Sequence, residues 1–487
     1  MKTDQTRAMI AVLISGLILV GWQFFFAPKT TEQQQGKVVL DQTEKAQNTG
    51  QNPITTPIKA EKLSAPIEAK GEIFEIFKGD FSYKVSSNLE IVSAQYKNKN
   101  ANELFKQPKI LQEIFFISNN QARKISFNIN KITDSSYSLT SEALDLKLNI
   151  QDSGVLKFEV AKNNGFTSMK HILYSNKLEK NGVQISQFTY LDNKHSLESI
   201  TVGSEEQETS TTQWFGSDFY YHTLTTILNK DNNVSTINTT ANNTMSVITP
   251  INQGFSIIFV KKIYDQLIKI GNNLHFAVDF GFFSIIAVPV LRGLQFFHSI
   301  IPNWGYAIIL LTLLIRFLTF PLQYISTKNM KKMQSIQPEL TKIKEKYKND
   351  PARVQKETMA LFKRAGTNPM SGCLPMILQM PIFFAFYKVL YNSVELVESP
   401  FIFWINDLSA KDPYYLLPVL MGIAMFAQQK LTPTTTADPT QQKVMMFLPL
   451  IFAFIMKDLP SGLNLYIFIS TLFGIAIQYL VLKRIKV

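Results

Sequence analysis

The sequence predicts an α-helical membrane protein of several spans joined to an all-β domain, and three observations lead there. Mean hydropathy is near zero only because two unlike parts are averaged, a polar stretch over 28–275 and a C-terminal part with long apolar runs. The formal charge of +12 is equally uneven. Residues 28–275 hold 26 Lys+Arg against 25 Asp+Glu, whereas 328–364 hold 11 against 4. Basic loops between apolar segments stay cytoplasmic, so this excess is a topology signal first, and a surface for RNA or acidic phospholipid second. The third observation is strict alternation of apolar and polar residues in the polar part, the mark of half-buried strands.

The elements follow in order. Residues 8–27 are apolar behind Lys2 and Arg7, with Trp22 near the outer end. The run is long for a cleaved signal peptide and about right for a span, so 1–27 is read as an uncleaved anchor. Residues 28–71 are rich in Gln, Thr, Lys and Pro, as in a disordered linker. From Glu72 the runs EIFEIFKGDFSYKV, KISFNINKI, LDLKLNI and VLKFEVAK predict an antiparallel β-sandwich facing the periplasm. The expected domain spans 72–275 and ends in an amphipathic helix over 256–275. The single cysteine, Cys373, excludes an intramolecular disulfide, so packing alone must hold this domain.

Residues 276–302 are apolar enough to span, yet carry Asp279, Pro289, Arg292, Gln295 and His298. Counted as a span, they would put the basic loop outside; read as an interfacial helix on the outer surface, they keep it inside. The latter is adopted. Spans are then expected at 304–325, 372–391, 413–430, 443–458 and 462–482, within a core domain 303–487. The cytoplasmic hairpin, 326–367, has an apolar stripe of Met330, Met333, Ile336, Leu340, Ile343 and Tyr347. Pro338 kinks its first arm, and Asp350-Pro351 starts the second. Its charged face is either simply solvated or a contact surface for ribosomes, lipid headgroups or nascent chains.

Arg316 carries the most information. At mid-membrane an arginine costs about 2.5–3.5 kcal/mol on insertion scales, and it needs a partner or water. The other spans offer no Asp or Glu in their apolar cores. The competing reading, snorkelling to the headgroups or pairing inside the bundle, stands beside a hydrated cavity. Thr312 and Thr319 share the Arg316 face. Gln379, Gln428, Gln429, Asn464, Tyr466, Ser470 and Thr471 are singly interhelical glue, but with Arg316 they can line a groove wet on one side. Pro369, Pro375 and Pro381 mark the third span and its approach. Met376, Met380, Phe383 and Phe384 give it a soft apolar face, suited equally to varied partners and to lipid. No metal-ligand spacing exists among Cys373 and the five histidines (His171, His195, His222, His275, His298), and no nucleophile–base constellation is evident in the spans. No cofactor, no metal and no enzymatic activity are expected.

Four motifs carry a resemblance to a known family: FGFFSIIAVPVLRGLQFFHSIIPNWGYAIILL (280–311), NPMSGCLPMILQMPIFFAFYKVL (368–390), DPYYLLPVLMGIAMFAQQKLTP (412–433) and LPSGLNLYIF (459–468). In this order they resemble the YidC insertases, over nearly the whole chain and most closely over 275–482. The large domain after the first span is similar to the Gram-negative branch. The resemblance implies a periplasmic β-sandwich and six spans, five of them enclosing a hydrophilic groove open to cytoplasm and lipid. It places the groove arginine at Arg316 and its threonine at Thr312. It also implies a slide for substrate segments near Met380, Phe383, Phe452 and Ile455. One departure is Tyr466-Ile467, where the family often has two adjacent aromatic residues.

The expected function is therefore a membrane protein insertase and chaperone of the bacterial inner membrane, with both termini cytoplasmic. Its expected partners are newly made membrane proteins, the Sec translocon, lipids and, through the basic hairpin, the ribosome. A solute or ion transporter is the alternative, but such proteins usually show internal repeats, and none relates the two halves here.

Overall fold

The computed structural model describes residues 69, 71–106, 109–180, 183–184, 186–228, 234–251, 254–367, 374–432 and 439–484. The expected anchor 1–27, the linker apart from residues 69 and 71, Pro369 and Cys373 lie outside these residues. The chain forms two compact units; Lys262–Lys269 belong with the helical one and Ile270–Ala277 with the β one.

Alternation becomes strand in the β unit because successive side chains of an extended chain point to opposite faces. LDLKLNI is strand Leu144–Ile150, with Leu144, Leu146, Leu148 and Ile150 buried and the residues between them more exposed. Leu156–Asn163 buries Leu156 and Phe158 in the same way. All the pairings are antiparallel. One sheet runs in the order Ile73–Lys78, Phe81–Ser86, Glu90–Tyr96, Gln112–Ser118, Ser168–Tyr174, Thr244–Pro250 and Val234–Thr240. The other runs Asn128–Thr133, Ser136–Thr140, Leu144–Ile150, Leu156–Asn163, Phe255–Lys261 and His222–Leu228. The long strand Gln207–Phe219 joins them, its first half pairing in one sheet and its second half in the other. Beyond it Ser186–Asp192 and Leu197–Thr201 complete the second sheet. Tyr83, Ile91 and Phe116 meet Leu148, Phe158, Phe188, Phe215 and Phe255 in one core. Phe158 and Phe255 stack at 4.7 Å. A fully buried apolar side chain contributes about 1.5–3 kcal/mol, which is how packing alone holds such a domain.

Two polar groups in this unit are buried at some cost. Glu90 and Glu113 face each other across the ladder, both fully buried, and Lys124 Nζ bridges them at 2.5 and 2.7 Å. Ser86 Oγ donates to Glu90 at 3.0 Å and the Tyr174 hydroxyl to Glu113 at 2.6 Å. Burial disfavours the Lys124 ammonium, but hydrogen bonds and charge from Glu113 and Glu90 outweigh it and hold its pKa above the ordinary value. His171, fully buried between Phe215 and Phe255, is pushed down to about 3 by desolvation and stays neutral.

One expectation is corrected here. The helix expected over 256–275 is confined to Tyr264–Ile270, because Phe255–Lys261 is a strand buried along almost its whole length. A short apolar run rich in Ile and Val, covered on both faces, carries no alternation, so periodicity alone does not separate strand from helix. KISFNINKI does alternate, yet its strand Asn128–Thr133 is an exposed edge, with Ile132 60% exposed.

The helical unit contains α1 (Tyr264–Ile270), α2 (Ser284–Ile300), α3 (Trp304–Ser335), α4 (Gln337–Lys346), α5 (Pro351–Arg364), α6 (Leu374–Asn392), α7 (Leu416–Leu431), α8 (Pro439–Met456) and α9 (Ser461–Arg484). Helix α2 buries Ala287, Val290, Leu291 and Leu294 at helical spacing and exposes Ile285, Phe296 and Ile300. Its arginine is paired: Arg292 binds Asp265 of α1 and lies over the Tyr264 ring, while Gln295 donates to Asp265 at 3.0 Å.

Helix α3 starts at Asn303, whose side chain accepts from the backbone N–H groups of Gly305 and Tyr306. It runs through the expected 325 boundary to Ser335, so the first ten residues assigned to the hairpin continue the span as helix. The break comes at Ile336, where Pro338 has no N–H to continue the ladder and sits instead in the first turn of α4. Asp350 Oδ1 accepts from Arg353 N at 3.0 Å and caps α5, as the Asp-Pro pair predicts.

At the other end of the unit, residues 399–412 are laced to the start of α9. Ser461 N and Oγ both donate to Ala410 O, and Gly462 N donates to Leu408 O. Phe401 lies over Gly305, where a Cβ would come within 2.0 Å of its ring. Asp412 ends this segment. It is fully buried, accepting from Trp404 Nε1, Tyr414 N and Leu417 N, and it caps α7. Among the described residues, three helices are long and apolar enough to cross a membrane, Gly281–Ile300, Trp304–Ser335 and Ser461–Lys483, with shorter apolar helices at Leu416–Leu431 and Met446–Met456.

Candidate functional site: a polar stripe along the last helix

Helices α3, α6 and α7 meet α9 along one face, and polar residues concentrate there. Arg316 of α3 is half-buried. Its Nε donates to Ser470 Oγ at 2.8 Å, its Nη2 donates to the same oxygen, and its Nη1 approaches Gln323 Oε1 at 3.5 Å. Among the described residues its hydrogen-bond partners are a hydroxyl and an amide, both neutral. A guanidinium stays charged, so between apolar helices it must be solvated by polar side chains or water.

One turn from Ser470, the Tyr466 hydroxyl accepts from Gln379 Nε2 of α6. The Tyr466 ring stacks on Phe386 at 4.1 Å, which fixes where its oxygen points. Ser470 also lies beside this hydroxyl. One turn on in the other direction is Gly474. A Cβ there would come within 2.6 Å of Gln428 Nε2 and 3.7 Å of Gln323 Nε2, so the missing side chain makes room for two amides. A further turn brings Gln478, whose Nε2 donates to Thr432 Oγ1 of α7 at 3.1 Å. Positions 466, 470, 474 and 478 thus form a stripe of four rungs, each facing a polar group from another helix.

Of the residues expected to line a groove, Arg316, Gln379, Gln428 and Tyr466 come together here. Thr312 and Asn464 do not join them. The Thr312 hydroxyl is buried and donates to Ile308 O of its own helix at 2.6 Å. Asn464 lies two residues from Tyr466, about 200° around the helix. It is fully buried at the α8–α9 corner, donating to Met456 O at 3.2 Å. On the expected slide, Met380 and Phe383 of α6 and Phe452 of α8 are half-buried, and Ile455 is 39% exposed. Sequence reasoning passed over Gln323, Thr432, Gly474 and Gln478. The signal was available as the four-residue spacing that links Gln478 through Gly474 to Ser470 and Tyr466.

The chemistry on offer is hydrogen-bond donation and one positive charge, with no Cys, His, Asp or Glu in the stripe. Such a surface can hydrogen-bond polar groups.

Comparison with known proteins identifies the family. The family model described as "60Kd inner membrane protein" matches residues 296–487. A membrane protein insertase YidC from Campylobacter jejuni is 32% identical over 508 residues, covering 99% of this chain and 96% of that protein. The YidC of Wolinella succinogenes is 49% identical over 225 residues, covering 46% of this chain and 42% of that one. A solved structure titled "Active YidC insertase crystal structure with the first transmembrane domain resolved" aligns with 84% of this chain and 93% of that one. Its TM-score of 0.39 and 19% identity are too low to bear on the fold. On the strength of end-to-end identity to the Campylobacter protein, the chain belongs to the YidC family of membrane protein insertases.

Proposed function

We propose that the chain inserts hydrophobic segments of other proteins into the bilayer by holding their polar tails transiently in a groove around Arg316. The observation that carries this reading is the charge of Arg316, set among the neutral groups of Ser470 and Gln323 between apolar helices. An acceptor-rich tail, acidic above all, finds there a positive charge and the amides of Gln379 and Gln428. Meanwhile its apolar segment moves into lipid past Met380, Phe383, Phe452 and Ile455. Transfer of that segment from water to hydrocarbon supplies the free energy, at roughly 25 cal/mol per Å² of apolar surface.

In the proposed topology, α3 and α6–α9 are the five core spans and 1–27 is the sixth, with both termini in the cytoplasm of a Gram-negative cell. Helix α2 lies along the outer surface; its exposed Ile285, Phe296 and Ile300 and its paired Arg292 suit an interface. The β unit faces the periplasm. Newly made membrane proteins are the clients, with the chain acting alone or beside the Sec translocon and as a folding chaperone. The α4–α5 hairpin meets lipid headgroups or the ribosome.

The test is reconstitution of the purified chain into liposomes without nucleotide. Insertion of a small single-span protein, read by protease protection, is expected, with no flux of small solutes. Solute flux without insertion would replace this reading with a transporter.

A further inference from the structure

We propose that Ser470 is a positioning residue for Arg316, fixing its charge in the groove and so setting the preference for acidic tails; this rests on the electrostatic reading of Arg316 given above.

The guanidinium carries five N–H donors in a rigid planar fork. Ser470 Oγ receives Nε and Nη2, which are adjacent along one edge of that fork. The Nη1 end is left pointing toward Gln323, whose oxygen stands at 3.5 Å, the outer limit of a hydrogen bond. One edge is therefore anchored and the other end is held loosely. An incoming carboxylate can displace the Gln323 contact without breaking the Ser470 one.

The anchor matters because a long cationic side chain in a membrane otherwise snorkels toward the headgroups. Among the described residues Ser470 and Gln323 are the side chains that hydrogen-bond Arg316, and Ser470 makes the shorter contacts. Ser470 in turn is held: it is 3% exposed, on the stripe face of α9, beside the Tyr466 hydroxyl that Gln379 fixes from α6. Gly474, one turn away, leaves room for the amides of Gln323 and Gln428 to approach the same face. Rows of residues four apart run obliquely across a helix surface. The stripe accordingly drifts from α6 at Tyr466, past α3 at Ser470, to α7 at Gln478, about 18 Å along the axis. Ser470 is the rung at which the one formal charge is attached.

The experiment measures initial insertion rates in liposomes for one client with an acidic tail and the same client with that tail neutralised. The variants are the parent, Ser470→Ala, Ser470→Thr, Arg316→Ala and the double variant Arg316→Ala/Ser470→Ala, each in full-length protein. Ser470→Ala is expected to lower the ratio of acidic to neutral rates at least about tenfold, as loss of the shared acceptor of two donors on a charged group implies. Ser470→Thr, which keeps the hydroxyl, should restore the ratio. Ser470→Ala should add nothing once Arg316 is already alanine. An equal fall for both tails, accompanied by a lower melting temperature, would make Ser470 structural and overturn the proposal. A ratio unchanged by Ser470→Ala but lowered by Arg316→Ala would overturn it while leaving the electrostatic reading intact. A ratio unchanged by Arg316→Ala would sink the electrostatic reading and this proposal with it.

Discussion

Replacing Arg316 separates charge from shape. Two unit charges about 4 Å apart interact by about 1 kcal/mol in bulk water and about 4 kcal/mol at an effective dielectric near 20. Arg316 is half-buried between α3 and α9, so its attraction for a carboxylate falls between those limits. The carboxylate must first displace the 3.5 Å Gln323 contact, a small loss, while the Ser470 anchor stays in place. About 2 kcal/mol remains, or roughly thirtyfold in the capture equilibrium at 1.4 kcal/mol per factor of ten. That is strong enough to bias entry and weak enough for release. Arg316→Ala should therefore slow insertion of an acidic-tailed client by roughly thirtyfold, and of its neutralised counterpart by much less. Arg316→Lys keeps the charge and loses only the fork, so it should retain most of the activity. The assay is protease-protected insertion into liposomes, with variants matched for amount and for melting temperature. If the alanine variant handles acidic tails as well as the parent, the charge is structural and the capture argument fails.

Three further outcomes follow from the fold and the proposed topology. Lys124→Met leaves Glu90 and Glu113 buried without their shared cation, and should destabilise the β unit by about 3–5 kcal/mol; hydrogen exchange in strand Gln112–Ser118 would report it, and unchanged protection would show the clamp to be idle. Because the folded Lys124 pKa is raised, the contribution of the clamp is complete below the unfolded lysine value of about 10.4 and is lost as pH rises through the folded one. A cysteine at Lys346, on a background without Cys373, should be labelled only from the cytoplasm and one at Asp407 only from the periplasm; labelling of 346 from outside would restore α2 as a span.

The sequence made legible those features that depend on one element at a time. Apolar length marked the helices, strict alternation marked Leu144–Ile150, and Arg316 stood out because its surroundings were uniformly apolar. What stayed hidden depends on a second element. Residues 256–261 were expected to be helical because neighbours on both sides bury the strand Phe255–Lys261, which erases the pattern that only a half-covered strand shows. Asn464 was grouped with Tyr466 by proximity in sequence, although helical geometry turns it to the α8 corner. Gly474 has no side chain to attract notice; its role is the space it leaves for Gln428 and Gln323. Nothing beside Asp412 in the sequence marks it as buried; its burial depends on Trp404 and the first turn of α7 closing around it.

The lacing of residues 399–412 to the start of α9 has an electrical consequence. In the proposed topology, water in the groove would carry the cytoplasmic potential inward as far as Arg316, and the packing of buried Leu408 and Gly462, with Phe401 over Gly305, would close the unit beyond it. A membrane voltage drops where the medium conducts least, so nearly all of it would fall across that packing instead of the full bilayer thickness. Each acidic residue crossing it toward a positive exterior gains about 2.3 kcal/mol per 100 mV. A single tight turn of backbone around Ser461 would then be the place where the energised state of the membrane acts on a passing chain.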